Sequence, residues 1–203
     1  MTLQSDRYIR AYGYNGMITP FEPDLVRQAP AAPSNPLISY GTSSYGYDLR
    51  LSDKDFQIFR HIPGTVMDPK EFNPANLAPA LLHEDPEGAG SYFILPAHSY
   101  GLGVALEHLR MPPNMTAIAV GKSTYARMGI IVNTTPTEAG WEGHLTLELS
   151  NSSGADCRIY AGEGICQLLF FEGSPCDTTY KDRSGKYQHQ TERVTHAREI
   201  GRA

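Results

Sequence analysis

Glycine and proline interrupt this chain throughout: nineteen glycines and fifteen prolines punctuate 203 residues. Proline breaks a helix and cannot donate to a ladder, and glycine weakens both kinds of element. The apolar segments between them have the length of strands. Residues 92–95 (YFIL), 101–109, 116–120 (TAIAV), 130–133, 144–150, 158–161 and 165–171 read this way. The second half of residues 38–51 adds another, with Tyr47 and Leu49 on one side and Asp48 and Arg50 on the other. Residues 56–59 add a short one. Many short strands at close spacing imply an all-β-dominated core, a sandwich or a barrel-like form.

Helix signals are few. Ser5 can cap a helix through Tyr12, with Asp6 favourable at its N-terminus, Tyr8, Ile9 and Tyr12 on one face, and Gly13 and Gly16 ending it. Residues 123–128 suggest a helical turn or two. Residues 20–36 hold five prolines and read as an extended surface segment. Residues 62–90 are unpatterned, an irregular excursion within one domain covering 1–203. Residues 180–203 are a polar, basic-rich lid or tail, expected to be ordered by a ligand or a partner chain.

The net charge of −5 argues against a nucleic-acid-binding surface, so a small anionic ligand needs a local basic pocket. Cys157, Cys166 and Cys176 are odd in number and form no C-x-x-C pair, which suits free thiols in a reducing cytoplasm and not a zinc site. No apolar run is long enough to span a bilayer, and residues 1–10 lack the apolar core of a signal peptide. These features read as a soluble, cytoplasmic protein.

Two places carry chemistry. Gly121-Lys122-Ser123-Thr124 lacks the first glycine of a full phosphate loop, since position 116 is threonine. A helix starting at Ser123 still offers free backbone N–H groups, two hydroxyls and the Lys122 ammonium to an anion, with Arg127 projecting from the same helix. An ordinary capped surface helix fits as well. In the second place, residues 143–150 alternate: His144, Thr146, Glu148 and Ser150 on one face, Leu145, Leu147 and Leu149 on the other. Such a polar face commonly meets water. If it lines a pocket instead, desolvation favours protonated Glu148 and suits it to acid–base work. Trp141, between Gly140 and Gly143, reads as a core plug or a lid.

Five ordered blocks over residues 44–190 carry a resemblance: SYGYDLR (44–50), GKSTYARMG (121–129), GWEGHLTLELSN (140–151), GEGICQLLF (162–170) and YKDRSGKYQ (180–188). Together they resemble dCTP deaminases of the dUTPase superfamily. The resemblance implies a distorted jelly-roll-like β fold, a homotrimer with sites at subunit interfaces, and hydrolytic deamination of dCTP to dUTP and ammonia, feeding pyrimidine deoxynucleotide synthesis. It implies Mg²⁺ carried by the substrate triphosphate, and no zinc. The H-x-E…P-C-x-x-C signature of zinc deaminases is absent, so a carboxylate must activate the water.

By position, Glu148 matches the family's general base and acid, and Ser123 and Arg127 match residues that orient the water. Residues 130–136 would give backbone carbonyls to the water and the exocyclic amine. Lys122, Ser123 and Thr124 would meet phosphate, with Tyr125 and Ala126 in the same substrate-binding segment. Thr146 and Leu147 would flank base and sugar. Gln167, Tyr180, Lys186 and Gln190 would complete the phosphate and lid contacts. Asp48 and Arg50 would hold the fold or a trimer interface. Lys122 stands where arginine is frequent, Asn133 where many relatives carry histidine, and Glu138 where the superfamily usually has the aspartate that activates water in dUTP hydrolysis. The resemblance leaves dUTP diphosphatase or bifunctional activity, and a non-catalytic nucleotide-sensing trimer, as alternatives.

Overall fold

Antiparallel pairing joins the strands of a computed structural model that describes residues 1–29, 35–60 and 62–198. Pro30 and Pro33 of the expected extended segment, and positions 199–203 of the tail, lie outside these residues. One seven-stranded sheet runs in the order Thr135–Thr137, Met115–Gly121, Gly164–Glu172, Gly46–Arg50, Tyr40–Ser43 and Leu25–Val26, with Thr2–Leu3 also paired to Gly164–Glu172. A six-stranded sheet runs Ile130–Val132, Glu142–Asn151, Tyr100–Arg110, Gln57–Phe59 and Leu77–Pro79, with Ile18–Thr19 also on Tyr100–Arg110. A third sheet joins Cys157–Tyr160, Ser91–Leu95 and His83–Glu84.

The two large sheets share one core. Tyr47, Leu49, Ala117, Ala119, Leu168 and Phe170 of the first pack in the same buried cluster as Ala105, Leu109, Leu145, Leu147 and Leu149 of the second. This is the β-dominated, distorted jelly-roll-like fold expected from the sequence. An ion pair also ties the sheets together. Glu107, fully buried, accepts from the backbone N–H of Arg50 at 2.9 Å and from its Nε at 2.7 Å. The Arg50 guanidinium lies 4.7 Å from the centre of the Tyr40 ring. Burial pushes the Glu107 carboxyl up, and the arginine charge opposes that rise. Arg50 thus holds the fold, one of the two roles expected of it.

Local expectations differ in three places. The Asp6–Tyr12 helix forms, but the Ser5 side chain does not cap it; Asp6 Oδ1 instead accepts the Arg7 N–H at 2.8 Å. Gly13 does not end the helical path, which continues as a wider turn over Gly13–Met17, where Gly16 takes a φ of 86°. Residues 62–90 are not wholly irregular: Leu77–Pro79 and His83–Glu84 add edges to two sheets.

One crossing matters for function. The chain leaves the six-stranded sheet after Ile130–Val132 and joins the seven-stranded sheet at Thr135–Thr137. The crossing brings a threonine of one sheet against a carboxylate of the other.

Arg50→Met leaves Glu107 buried without its partner, so unfolding in urea should show a loss of roughly 3–5 kcal/mol. The loss relative to wild type should shrink at acid pH. A lone buried carboxyl has a raised folded-state pKa, so its destabilisation appears only as pH rises and ionisation is demanded.

Candidate active site

The leucines of Glu142–Asn151 face the core, which sends Thr146 and Glu148 to the opposite face. That face does not meet open water. It walls a cavity of about 430 Å³ that Tyr100, Leu102, Thr135, Glu138, Trp141 and Gln190 also line, with Phe59, Phe72, Tyr180 and Tyr187 supplying further aromatic surface. Glu148 is half-buried. Burial pushes its carboxyl up, while the Thr135 hydroxyl, donating to Oε2 at 3.2 Å, and its own backbone amide oppose the rise.

The neighbouring strand supplies Tyr100. Its hydroxyl oxygen accepts from Asn133 Nδ2 at 3.0 Å, and the Asn133 backbone N–H donates to the Glu148 carbonyl at 2.9 Å. Burial, and then the Glu148 charge, raise the Tyr100 phenol, so it stays neutral beside the carboxylate. Trp141 takes the expected place of a core plug. It is buried in the core and lines the cavity, and its Nε1–H donates to the Tyr187 carbonyl at 2.9 Å. His144 lies outside the cavity lining, with Nδ1 3.1 Å from the Ala105 carbonyl oxygen and its ring against His108.

The tail folds back over this face. The His189 N–H donates to the Glu142 carbonyl at 2.7 Å, and the His144 N–H donates to the Gln190 carbonyl at 2.9 Å. A Cβ on Gly143 would stand 2.7 Å from the Gln190 nitrogen, so glycine admits this approach. The Thr146 hydroxyl donates to Gln190 Oε1 at 2.9 Å and accepts from the Thr195 N–H at 3.1 Å. An expected tail that needs a ligand or partner to order it is, through residue 198, docked by contacts within its own chain.

The Ser123–Ala126 helix lies elsewhere. Lys122 precedes it and ion-pairs with buried Asp48, whose Oδ1 accepts from Gln167 Nε2 at 3.0 Å. Ser123, Thr124, Ala126 and Arg127 are exposed. Tyr125 is buried, its hydroxyl accepting from the Tyr160 N–H at 2.8 Å. Among the described residues the cavity brings together Glu148, Thr146, Tyr180 and Gln190 of the expected site. It excludes Lys122, Ser123, Thr124, Tyr125, Ala126, Arg127, Gln167 and Lys186. The Leu147 side chain is in the core, and exposed Lys186 donates to the Arg198 carbonyl at 3.3 Å. No three His, Cys, Asp or Glu side chains gather to hold a metal among the described residues. No helix among them is long and apolar enough to cross a membrane.

Comparison with known proteins bears on this arrangement. A sequence model of the family described as dCTP deaminase-like matches residues 3–173. The chain belongs to the dCTP deaminase family. A Bordetella parapertussis protein named dCTP deaminase is 48% identical over 191 residues, covering 94% of this chain and 96% of its own. Proteins of the same name from Dechloromonas aromatica and Neisseria meningitidis are each 47% identical, at the same coverage of both chains. The crystal structure of the 2'-deoxycytidine 5'-triphosphate deaminase from Agrobacterium tumefaciens superposes with a TM-score of 0.56 at 17% identity. That match covers 84% of this chain and 48% of that one, so this chain spans about half its length and the likeness concerns the fold.

This member of the dCTP deaminase family is thus an enzyme, and its cavity contains residues that sequence reasoning missed. Thr135 lies in the 130–136 segment expected to offer backbone carbonyls, but its side-chain role was hidden beside Pro136, which obscures a strand. Phe72 sits in the unpatterned excursion, and Tyr100 at the very start of its strand. Tyr187 lay within the quoted tail block, and that block was the signal that could have found it. The Thr146 hydroxyl, expected near base and sugar, has both its donor and an acceptor position engaged by the tail. Thr146→Val should release residues 188–197 while leaving the strand intact. Hydrogen exchange should show faster exchange at Gln190 and Thr195 with little change in Leu145 to Leu149.

Proposed function

We propose that this protein hydrolyses dCTP to dUTP and ammonia in the cytoplasm, supplying uracil deoxynucleotide for pyrimidine synthesis. The observation that carries this reading is Glu148: a carboxylate on the wall of an aromatic-lined cavity, bonded by Thr135 through Oε2, with Oε1 free of protein partners among the described residues. The names of the relatives supply the substrate.

In this reading the cytosine ring enters between the aromatic walls. Glu148 takes a proton from water as the water oxygen adds to the ring carbon bearing the amine, and passes that proton to the adjacent ring nitrogen. A second proton, from the added hydroxyl, travels by the same carboxylate to the amine. The carbon–nitrogen bond then breaks, ammonia leaves, and the carbonyl of uracil remains. One water is consumed and Glu148 returns to its starting state.

Ser123 and Arg127 must reach this centre to orient water and carboxylate. They are exposed and do not line the cavity of their own chain. A second copy bringing them in accounts for that separation, and this supports the homotrimer with interface sites. Lys122, anchored by Asp48, keeps ammonium donors for phosphate beside the Ser123 and Thr124 hydroxyls. Mg²⁺ is taken to travel with the triphosphate and offset its charge. The described residues gather no carboxylate cage for it, so none is assigned to hold it.

Glu138 favours a second reading. It lines the same cavity, with its Oε2 3.5 Å from Arg183 Nη1. A carboxylate there suits activation of a water toward phosphate, giving dUTP diphosphatase activity alone or after deamination. Incubation with dCTP separates the readings by product: dUTP with ammonia for the deaminase, dUMP with ammonia and pyrophosphate for the combined enzyme. Release of neither ammonia nor pyrophosphate would overturn the deaminase and the combined enzyme, and incubation with dUTP then tests the diphosphatase alone.

Glu148→Gln should retain dCTP binding by calorimetry and release no ammonia; turnover in that variant would remove Glu148 from its role. The wild-type pH profile follows from the same group. A base must be ionised, and burial raises this carboxyl. The rate should therefore fall on acidification through a pKa above the ordinary glutamate range, about 4.3.

A further inference from the structure

No Lys, Arg or His lines the Glu148 cavity among the described residues. With Glu148, the lining includes Thr135 from the seven-stranded sheet, Tyr100 from the adjacent strand, and Tyr180 and Tyr187 from the tail. Glu138, beside Thr137, adds a second carboxylate with Arg183 near it. Burial works against an ionised Glu148, and no cation of the lining counters it. One group does. The Thr135 hydroxyl is the only side chain that hydrogen-bonds the Glu148 carboxylate among the described residues.

Thr135 is also well placed to aim that carboxylate. Its backbone pairs with Ala119 in the seven-stranded sheet, while Glu148 pairs with Leu102 in the six-stranded sheet. The hydrogen bond therefore spans two sheets that the core fixes relative to each other. A β-branched side chain has few χ1 choices, so the hydroxyl is held stiffly. It engages Oε2 and leaves Oε1 for water.

We propose that Thr135 is the positioning residue of this site: its hydroxyl holds Glu148 as an anion and fixes which oxygen faces the reacting water. The inference rests on the reading of Glu148 as the base and goes beyond it by naming what keeps that base usable. Hydrogen bonding to the charged form favours it, and loss of the bond returns the carboxyl to the pull of burial. Its side chain acts through Glu148, the group it bonds.

The test compares Thr135→Val, which keeps the shape and removes the donor, with Thr135→Ser, which keeps the donor. The acid limb of kcat/KM for dCTP should move to higher pH in Thr135→Val. On the acid side of the limb, the rate should then fall about tenfold for each pH unit the limb has moved. The alkaline plateau should change less, and Thr135→Ser should return the limb toward wild type. The Glu148 side-chain carboxyl resonance, identified by its loss in Glu148→Gln, should titrate at higher pH in ligand-free Thr135→Val. This second readout needs no turnover. An unmoved limb and resonance, an equal loss of rate at every pH, or no recovery in Thr135→Ser would each overturn the proposal. If Glu148→Gln retained turnover, the reading of Glu148 itself would fail. If that variant is inactive while Thr135→Val titrates as wild type, only the role of Thr135 fails.

Discussion

The two-residue period of a single strand governs most of what this protein can do. Leu145, Leu147 and Leu149 belong to the core, so Thr146 and Glu148 have no choice but the other face. A one-residue slip in register would bury the glutamate among leucines and turn the leucines outward. The apolar side chains that stabilise the sandwich therefore also fix the position of its reactive carboxylate. Arg50 and Glu107 reinforce this by holding the two sheets in register with one another, so that a side chain of one can bond a side chain of the other.

Two places in the structure differ in chemical character. The cavity is aromatic and anionic, suited to a neutral base and to proton transfer. The Lys122–Arg127 turn is cationic and hydroxyl-rich, suited to phosphate, and sits apart from the cavity of its own chain. Lys122 does not stand free there. Asp48 fixes its ammonium, and Gln167 in turn bonds Asp48 and Ser43. Three residues from distant parts of the sequence thus define the direction of one cation, which a flexible lysine could not do by itself.

Periodicity and punctuation made much of this legible in the sequence. The leucine alternation identified the strand and the face of Glu148, and ordered motifs gave Tyr180 and Gln190 before any geometry was known. Sheet membership was not legible. A two-residue period says which face is buried but not which strand pairs with which. Nothing local announces that Gly164–Glu172 lies between Met115–Gly121 and Gly46–Arg50. Contacts between distant positions were hidden for the same reason, including Lys122 with Asp48, 74 residues apart. The side-chain role of Thr135, within a segment expected to offer only backbone carbonyls, was obscured by the proline that follows it. The Ser5 hydroxyl, a good cap by residue type, leaves the helix N-terminus to its own carbonyl and to Asp6.

The tail's mode of attachment has a consequence of its own. Backbone amides and carbonyls, the Trp141 indole, the Thr146 hydroxyl and the Gln190 amide hold most of it, while Glu192 accepts from the Ser52 hydroxyl at 2.6 Å and Asp55 from the Val194 N–H at 2.9 Å. Among the described residues, the exposed Arg183–Glu138 pair is the one salt bridge between residues 180–198 and the body of the chain. Hydrogen bonds between neutral groups are nearly indifferent to ionic strength, whereas attraction between a cationic turn and a triphosphate is screened by salt. Salt should therefore act more strongly on the cationic Lys122–Arg127 turn than on the neutral hydrogen bonds that hold most of the tail.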